Sequence, residues 1–327
     1  MTWRNAGDYH TAVNSRIRAV PGLAAVVVLA LLCTRPALVQ EGEEASAERI
    51  RSAIEAGRLD EAIADARRAA AQFPRSSEVH RLLGAALFKK GLNADARGAF
   101  RRAIELDAGI PENYFNLALV ELSESRYAEA SRSLEDFIRL EPSNALARVL
   151  LGRAYHNQNR TAHAIEQFRK ALKLAPQLPL AHYHLGFALQ SQGNLSEALA
   201  EYEQEINLNP GFYETYHHAG SIQLGRGNLA AAEELFQKGI ALRPQAAQAH
   251  YGLARVLRKR GDLAGAEGAL MRVIGLQPAH VEAHYALARI YQQLGRKDEA
   301  AREFKIVADL HARNARRSSG IAGIQNP

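Results

Sequence analysis

The chain has 327 residues, 47% of them hydrophobic, a formal net charge of +6 and one cysteine, Cys33. That apolar content supports a large buried core, and a single thiol provides no internal disulfide to brace it. The charge argues against nucleic acid: residues 1–40 hold four arginines and one aspartate, leaving 37 basic against 34 acidic residues, a net of +3, on the remainder.

The first element in chain order is a leader. Arg16 and Arg18 precede an apolar run from Gly22 to Cys33, and Thr34-Arg35-Pro36-Ala37-Leu38-Val39 follows. Basic segment, apolar segment and small-residue zone come in the order of a secretory signal. The run is short of the roughly 20 residues that span a bilayer. Cleavage after Val39 meets a loose small-x-small rule, so residues 1–40 are expected to be a signal peptide. The expected destination is the periplasm or cell envelope of a bacterium. The alternative is an uncleaved inner-membrane anchor with the rest of the chain on the cytoplasmic side. Leu32 precedes Cys33 where a lipidated cysteine takes a small residue, so the lipoprotein pattern is incomplete.

Beyond the leader one unit is copied. Alanine recurs at Ala62, Ala96, Ala130, Ala164, Ala198, Ala232, Ala266 and Ala300, each 34 residues after the last. Units start at Glu43, Ser77, Pro111, Ala145, Pro179, Tyr213, Ala247 and Val281, which places these alanines at position 20. Position 32 is proline in six units, from Pro74 to Pro278. Position 15 is glycine in six and is Ser125 and Asn159 in the third and fourth units. Position 8 is small (Gly84, Ala118, Gly152, Gly186, Gly220, Ala254, Ala288), and position 24 is large (Phe100, Leu134, Phe168, Tyr202, Phe236, Leu270, Phe304). Positions 4, 7, 8 and 11 share one helix face, and 20, 24 and 27 another. Glycine at 15 ends the first helix and proline at 32 the second, so each unit is a helix, a tight turn and an antiparallel helix. Small residues at 8 and 20 let the two backbones approach, with the large residue at 24 beside them.

Leu185, Gly186, Leu189, Gly193, Ala198, Tyr202 and Pro210, with their equivalents in the other units, make the chain resemble the tetratricopeptide repeat family over residues 43 to about 312. The resemblance implies an all-α fold: a right-handed α-solenoid of antiparallel helix pairs, about eight 34-residue repeats. Residues 43–76 read as a degenerate N-terminal capping repeat, because Arg49, Ile50 and Ala66 depart from the motif. Residues 77–314 read as seven tetratricopeptide repeats and 315–327 as a flexible basic tail.

In this family the first helix of each unit lines a concave surface through positions 2, 5, 6, 9, 12 and 13. Here those positions offer Arg81, Phe115, Asn116, Arg153, Tyr183, His184, Phe187, His217, His218, Tyr251, Arg255, Arg258, Tyr285 and Arg289. Arginine grips a carboxylate with two parallel hydrogen bonds, and aromatic rings give contact area at low entropic cost. The expected partner is a protein or peptide of acidic character, held in this groove. The competing reading is that the position-5 tyrosines pack against the neighbouring first helix and the arginines are solvated surface. A chaperone-tail clamp, as found in one subgroup, is not supported: Ala85, Leu146 and Leu150 stand at three of its five positions.

The sequence holds no Gly-x-Ser-x-Gly elbow, phosphate-cradling glycine loop or dinucleotide fingerprint, and no His-Glu-x-x-His. His184 and His218 occupy equivalent places on successive first helices, but a metal site needs three or four converging ligands. No cofactor, metal or catalytic residue is expected. The chain reads as a non-enzymatic scaffold that binds other proteins, with the recognition subunit of an enzyme complex as an alternative.

Overall fold

The computed structural model describes residues 37–322; the leader, apart from its last four residues, lies outside them, as do residues 323–327. Two compact bodies are present, one ending at Pro176 and one beginning at Gln177. The N-terminal body holds α1 (Ala37–Glu55), α2 (Leu59–Gln72), α3 (Ser77–Lys89), α4 (Asn93–Leu106), α5 (Pro111–Ser123), α6 (Tyr127–Leu140), α7 (Ala145–Asn157) and α8 (Thr161–Leu174). The C-terminal body holds α9 (Ala181–Ser191), α10 (Leu195–Leu208), α11 (Tyr213–Arg226), α12 (Leu229–Leu242), α13 (Ala247–Arg260), α14 (Leu263–Leu276), α15 (Val281–Gln293) and α16 (Lys297–Ala322). Among the described residues all regular structure is helical. Odd-numbered helices are the first helices of the units and even-numbered helices the second. Within each body every helix packs on its neighbours in sequence, which makes the fold an all-α solenoid.

The packing follows the repeat register. All eight position-20 alanines are buried. A side chain at position 8 would strike the ring at position 24: an added Cβ would lie 2.8 Å from Phe100 at Gly84, 2.6 Å from Phe168 at Gly152 and 2.9 Å from Tyr202 at Gly186. Position 24 itself is fully buried from Phe100 to Leu270. Position 4 carries a polar donor rather than an apolar packing residue. In the fourth, sixth, seventh and eighth units it bonds the carbonyl six residues earlier, at position 32 of the preceding unit: Arg148 to Pro142 (2.7 Å), Tyr216 to Pro210 (3.0 Å), His250 to Pro244 (2.9 Å) and His284 to Pro278 (3.0 Å). These bonds satisfy carbonyls that proline and the turn leave without a helical partner.

The turn inside each unit puts position 15 in the left-handed region. Six glycines there have φ between 72° and 88°. Ser125 and Asn159 adopt the same conformation, with φ of 58° and 60°, so the third and fourth units keep the turn without glycine. The next amide then reaches back five residues, from Leu92 to the Leu87 carbonyl at 2.9 Å and from Arg126 to the Glu121 carbonyl at 2.8 Å.

The first pair buries Ala47, Ile50, Ala53 and Ile54 of α1 and leaves Glu44 and Glu48 exposed. At the other end α16 does not stop at Leu310, where its repeat register ends its predecessors, but continues to Ala322. Among the described residues no helix is long and apolar enough to cross a membrane, and the proposed signal segment falls almost wholly outside them.

Candidate functional site

The candidate groove residues have different environments. In the N-terminal body Arg81 is half-buried and donates from Nε to the Glu78 carboxylate at 2.8 Å. Phe115 packs on Phe137 with ring centroids 5.1 Å apart, while Asn116 and Arg153 are half-buried.

In the C-terminal body Tyr183 and His184 are 6% and 3% exposed, which removes both from any binding surface. They occupy positions 5 and 6 of α9, where the rings of the following pair close over them. Tyr183 meets Phe212 edge-on at 4.9 Å and His218 at 5.7 Å, and His218 stacks on Tyr202 at 5.5 Å. Phe187 completes this cluster, 5.3 Å from His218. Burial, with the neighbouring His217, pushes the His218 imidazole down to about 3, so it is neutral near pH 7. His217 is lowered by burial and then by the Arg255 charge, and burial raises the Tyr183 phenol. Tyr183, His184 and Tyr202 form the buried part of this aromatic cluster, and Phe187, His217 and His218 form its half-buried outer part. Among the described residues no three ligand-type side chains are placed to hold a metal ion.

The remaining candidates come together. Tyr251, Arg255 and Arg258 on α13 and Tyr285 on α15 line one open depression of about 400 Å³. Its floor is apolar, from Ala254, Leu270, Val281 and Ala286, and Glu282 is its one lining carboxylate. Tyr285 is 52% exposed and rests on Phe304 at 5.9 Å, and Tyr251 lies 5.1 Å from His280. Arg255 and Arg258 are exposed and form no ion pair or hydrogen bond among the described residues. Other arginines are paired, including Arg97 with Glu124, Arg243 with Glu214 and Arg296 with both Glu267 and Glu299. Arg289 is exposed and donates only to Gln292, at 3.1 Å. Two unpaired guanidinium groups above an apolar floor can hold carboxylates, and the tyrosines can flank an apolar residue between them.

Family models described as tetratricopeptide repeats match residues 48–111 and 219–278, 179–212 and 257–321, and a TPR repeat model matches 152–193. The chain belongs to the tetratricopeptide repeat family. Curated proteins gave no match. Among solved structures, this repeat protein is similar to YrrB, described as a TPR protein with an unusual peptide-binding site. The identity is 21% over 56% of this chain and 95% of YrrB, with a TM-score of 0.50. Similarity to the Cut9–Hcn1 hetero-tetramer of the APC/C is 17% identity over 74% of this chain and 48% of that one, with a TM-score of 0.56. MamA matches at 25% identity over 51% of this chain and 97% of its own, with a TM-score of 0.48. What these likenesses share with the chain is the tetratricopeptide fold.

The site has members that the repeat pattern did not nominate. Val307 and His311 of α16, at positions 27 and 31, line the depression. The last helix continues straight through Leu310 to Ala322, so among the described residues no further first helix covers those positions. Gly252, at position 6 of α13, admits the Phe236 ring so closely that a Cβ would lie 2.3 Å from it. Two buried carboxylates also carry structure. Glu205 accepts from the backbone amides of Leu180 (3.1 Å) and Tyr183 (3.4 Å), capping α9 where Leu180 takes a φ of 63°. Glu121 accepts from Ser133 at 2.8 Å. Burial raises both carboxyls above the usual range.

Proposed function

We propose that this protein is a non-catalytic scaffold that holds an acidic segment of a partner protein in the depression between α13 and α15. The observation that carries the reading is the pair Arg255 and Arg258: exposed, without a carboxylate partner, and set beside Tyr251 and Tyr285 over an apolar floor. Exposed guanidinium groups that the fold leaves unpaired are available to a ligand, and arginine and tyrosine are the residue types that dominate binding energy at interfaces. The YrrB structure, described by its peptide-binding site, is consistent with this use of the fold. The leader adds a second part: the scaffold acts in assembly of a cell-envelope complex after export.

Fluorescence anisotropy with a Glu- and Tyr-containing peptide tests the first part. Tyr251→Ala with Arg255→Glu is expected to abolish binding by a protein that still unfolds at the wild-type temperature. Equal binding by both proteins refutes the site. Cell fractionation and N-terminal sequencing of the mature protein test the second part. A mature chain that begins at its initiator residue and stays in the cytosol refutes it.

A further inference from the structure

Inside the C-terminal body each second helix except the last is covered by the first helix that follows it. Positions 24 and 27 are Tyr202 and Glu205 on α10, Phe236 and Gly239 on α12, and Leu270 and Val273 on α14; all are buried. The covering face can be read directly. A Cβ at Gly239 would lie 3.8 Å from the Ala249 Cβ of α13, and Val273 shares an apolar cluster with Ala283, Leu287 and Ile290 of α15. A small residue at position 3, an apolar one at 7 and a β-branched one at 10 therefore make the contact.

On α16 the same positions are Phe304 and Val307, and both are only half-buried. Helices α10, α12 and α14 end at Leu208, Leu242 and Leu276, whereas α16 runs past the equivalent Leu310 to Ala322. No turn at that point brings the chain back over Val307. The depression that Arg255 and Arg258 line extends onto Val307 and His311, so the uncovered face and the unpaired cations form one surface.

We propose that this surface seats an amphipathic α-helix of a partner protein. The helix lies over Phe304 and Val307 as a ninth first helix would, with carboxylates along the edge that faces Arg255 and Arg258. The inference rests on the groove reading above and gives its ligand a conformation. Charge complementarity selects the occupant: two free guanidinium groups against the single lining carboxylate of Glu282 call for an acidic partner. A second copy is a poor fit. The apolar residues of its α1 are already buried, so that helix has none left to lie over Phe304 and Val307, and two such seats face to face would set arginine against arginine. Helix-in-groove docking uses anchors at this kind of helical spacing.

The test uses the full chain and three labelled peptides the length of α13, 14 residues. One is designed helical, with alanine third, leucine seventh, isoleucine tenth and glutamate elsewhere on its outer face. The second is its scramble. The third is an unstructured peptide rich in glutamate, tyrosine and glycine. The helical peptide is expected to bind and to gain helical circular dichroism, and Val307→Glu is expected to weaken it by about tenfold or more. Ala308→Glu, at an exposed position one turn beyond Phe304, repeats the test without touching a half-buried site. Ala308→Glu, which lies outside the lining of the depression, is expected to bind the unstructured peptide as the wild type does.

Equal affinity for the helical peptide and its scramble, or no effect of either substitution, overturns the inference. Binding of the unstructured peptide alone overturns it and leaves the groove reading in place, whereas binding of neither acidic peptide overturns both. Sedimentation showing a dimer that Val307→Glu dissociates assigns the face to a second copy and overturns the partner helix.

Discussion

Gly252→Ala should destabilise the C-terminal body although it raises helix propensity. In an exposed helix interior the change gains about 0.5–1 kcal/mol, because glycine loses more backbone entropy on folding. At position 252 the new methyl would sit 2.3 Å from Cε1 and 2.4 Å from Cζ of Phe236, a ring with no exposed surface into which to retreat. Overpacking of this kind costs about 1–3 kcal/mol, and at a 2.3 Å approach the upper part of that range applies, so the net loss is up to about 2.5 kcal/mol. Gly268→Ala, on α14, is the control: an added Cβ there meets nothing within 4 Å, and a gain of about 0.5–1 kcal/mol is expected. Urea unfolding of both variants, followed by circular dichroism, gives the comparison. An unchanged slope is required before midpoints are converted to free energies, because repeat arrays can lose two-state cooperativity. Equal stabilisation by the two substitutions would refute the packing argument and show that Phe236 moves aside without cost.

Ser125→Gly and Asn159→Gly should each stabilise the N-terminal body by up to about 1 kcal/mol, read as a raised urea midpoint, because both native residues hold a positive φ that glycine adopts freely. Glu205→Leu should cost about 1–3 kcal/mol in the same assay, since it orphans the Leu180 and Tyr183 amides at the start of α9. His218 gives a pH dependence. Its folded pKa, near 3, lies below the ordinary 6.5, so the stability it contributes is complete above pH 6.5 and is lost as pH falls from there toward 3. Because the group binds one proton, that loss is at most about 1.4 kcal/mol per pH unit, and comparison of wild type with His218→Phe at pH 7 and pH 4.5 isolates it.

The fold was legible because its punctuation is chemical. Alanine at 20, glycine at 15 and proline at 32 each answer a backbone demand that recurs every 34 residues, so their period shows through varied side chains. Ser125 and Asn159 show the limit: the turn survives without glycine because the five-residue backbone hydrogen bond and the packing on either side hold it. The site was legible only in part. Tyr251 and Tyr285 and the arginines near them lie where the repeat register points, yet Tyr183 and His184 hold the same positions and are buried. The difference comes from neighbours. Phe212, His218 and Tyr202 close over α9, whereas Tyr285 on α15 stays exposed beside α16. Position alone cannot distinguish those outcomes. The role of position 4 as a donor to the preceding carbonyl was hidden for a similar reason, since histidine, tyrosine and arginine share no class except the N–H or O–H they bring to it.

The most direct test of the central claim is the affinity of one Glu- and Tyr-containing peptide for the wild type and for Arg255→Glu with Arg258→Glu, measured at low and at physiological salt. Loss of binding by about tenfold or more in the variant, with wild-type binding weakened by salt, is the predicted result. Unchanged affinity in a folded variant would contradict the assignment of this groove as the partner-binding surface.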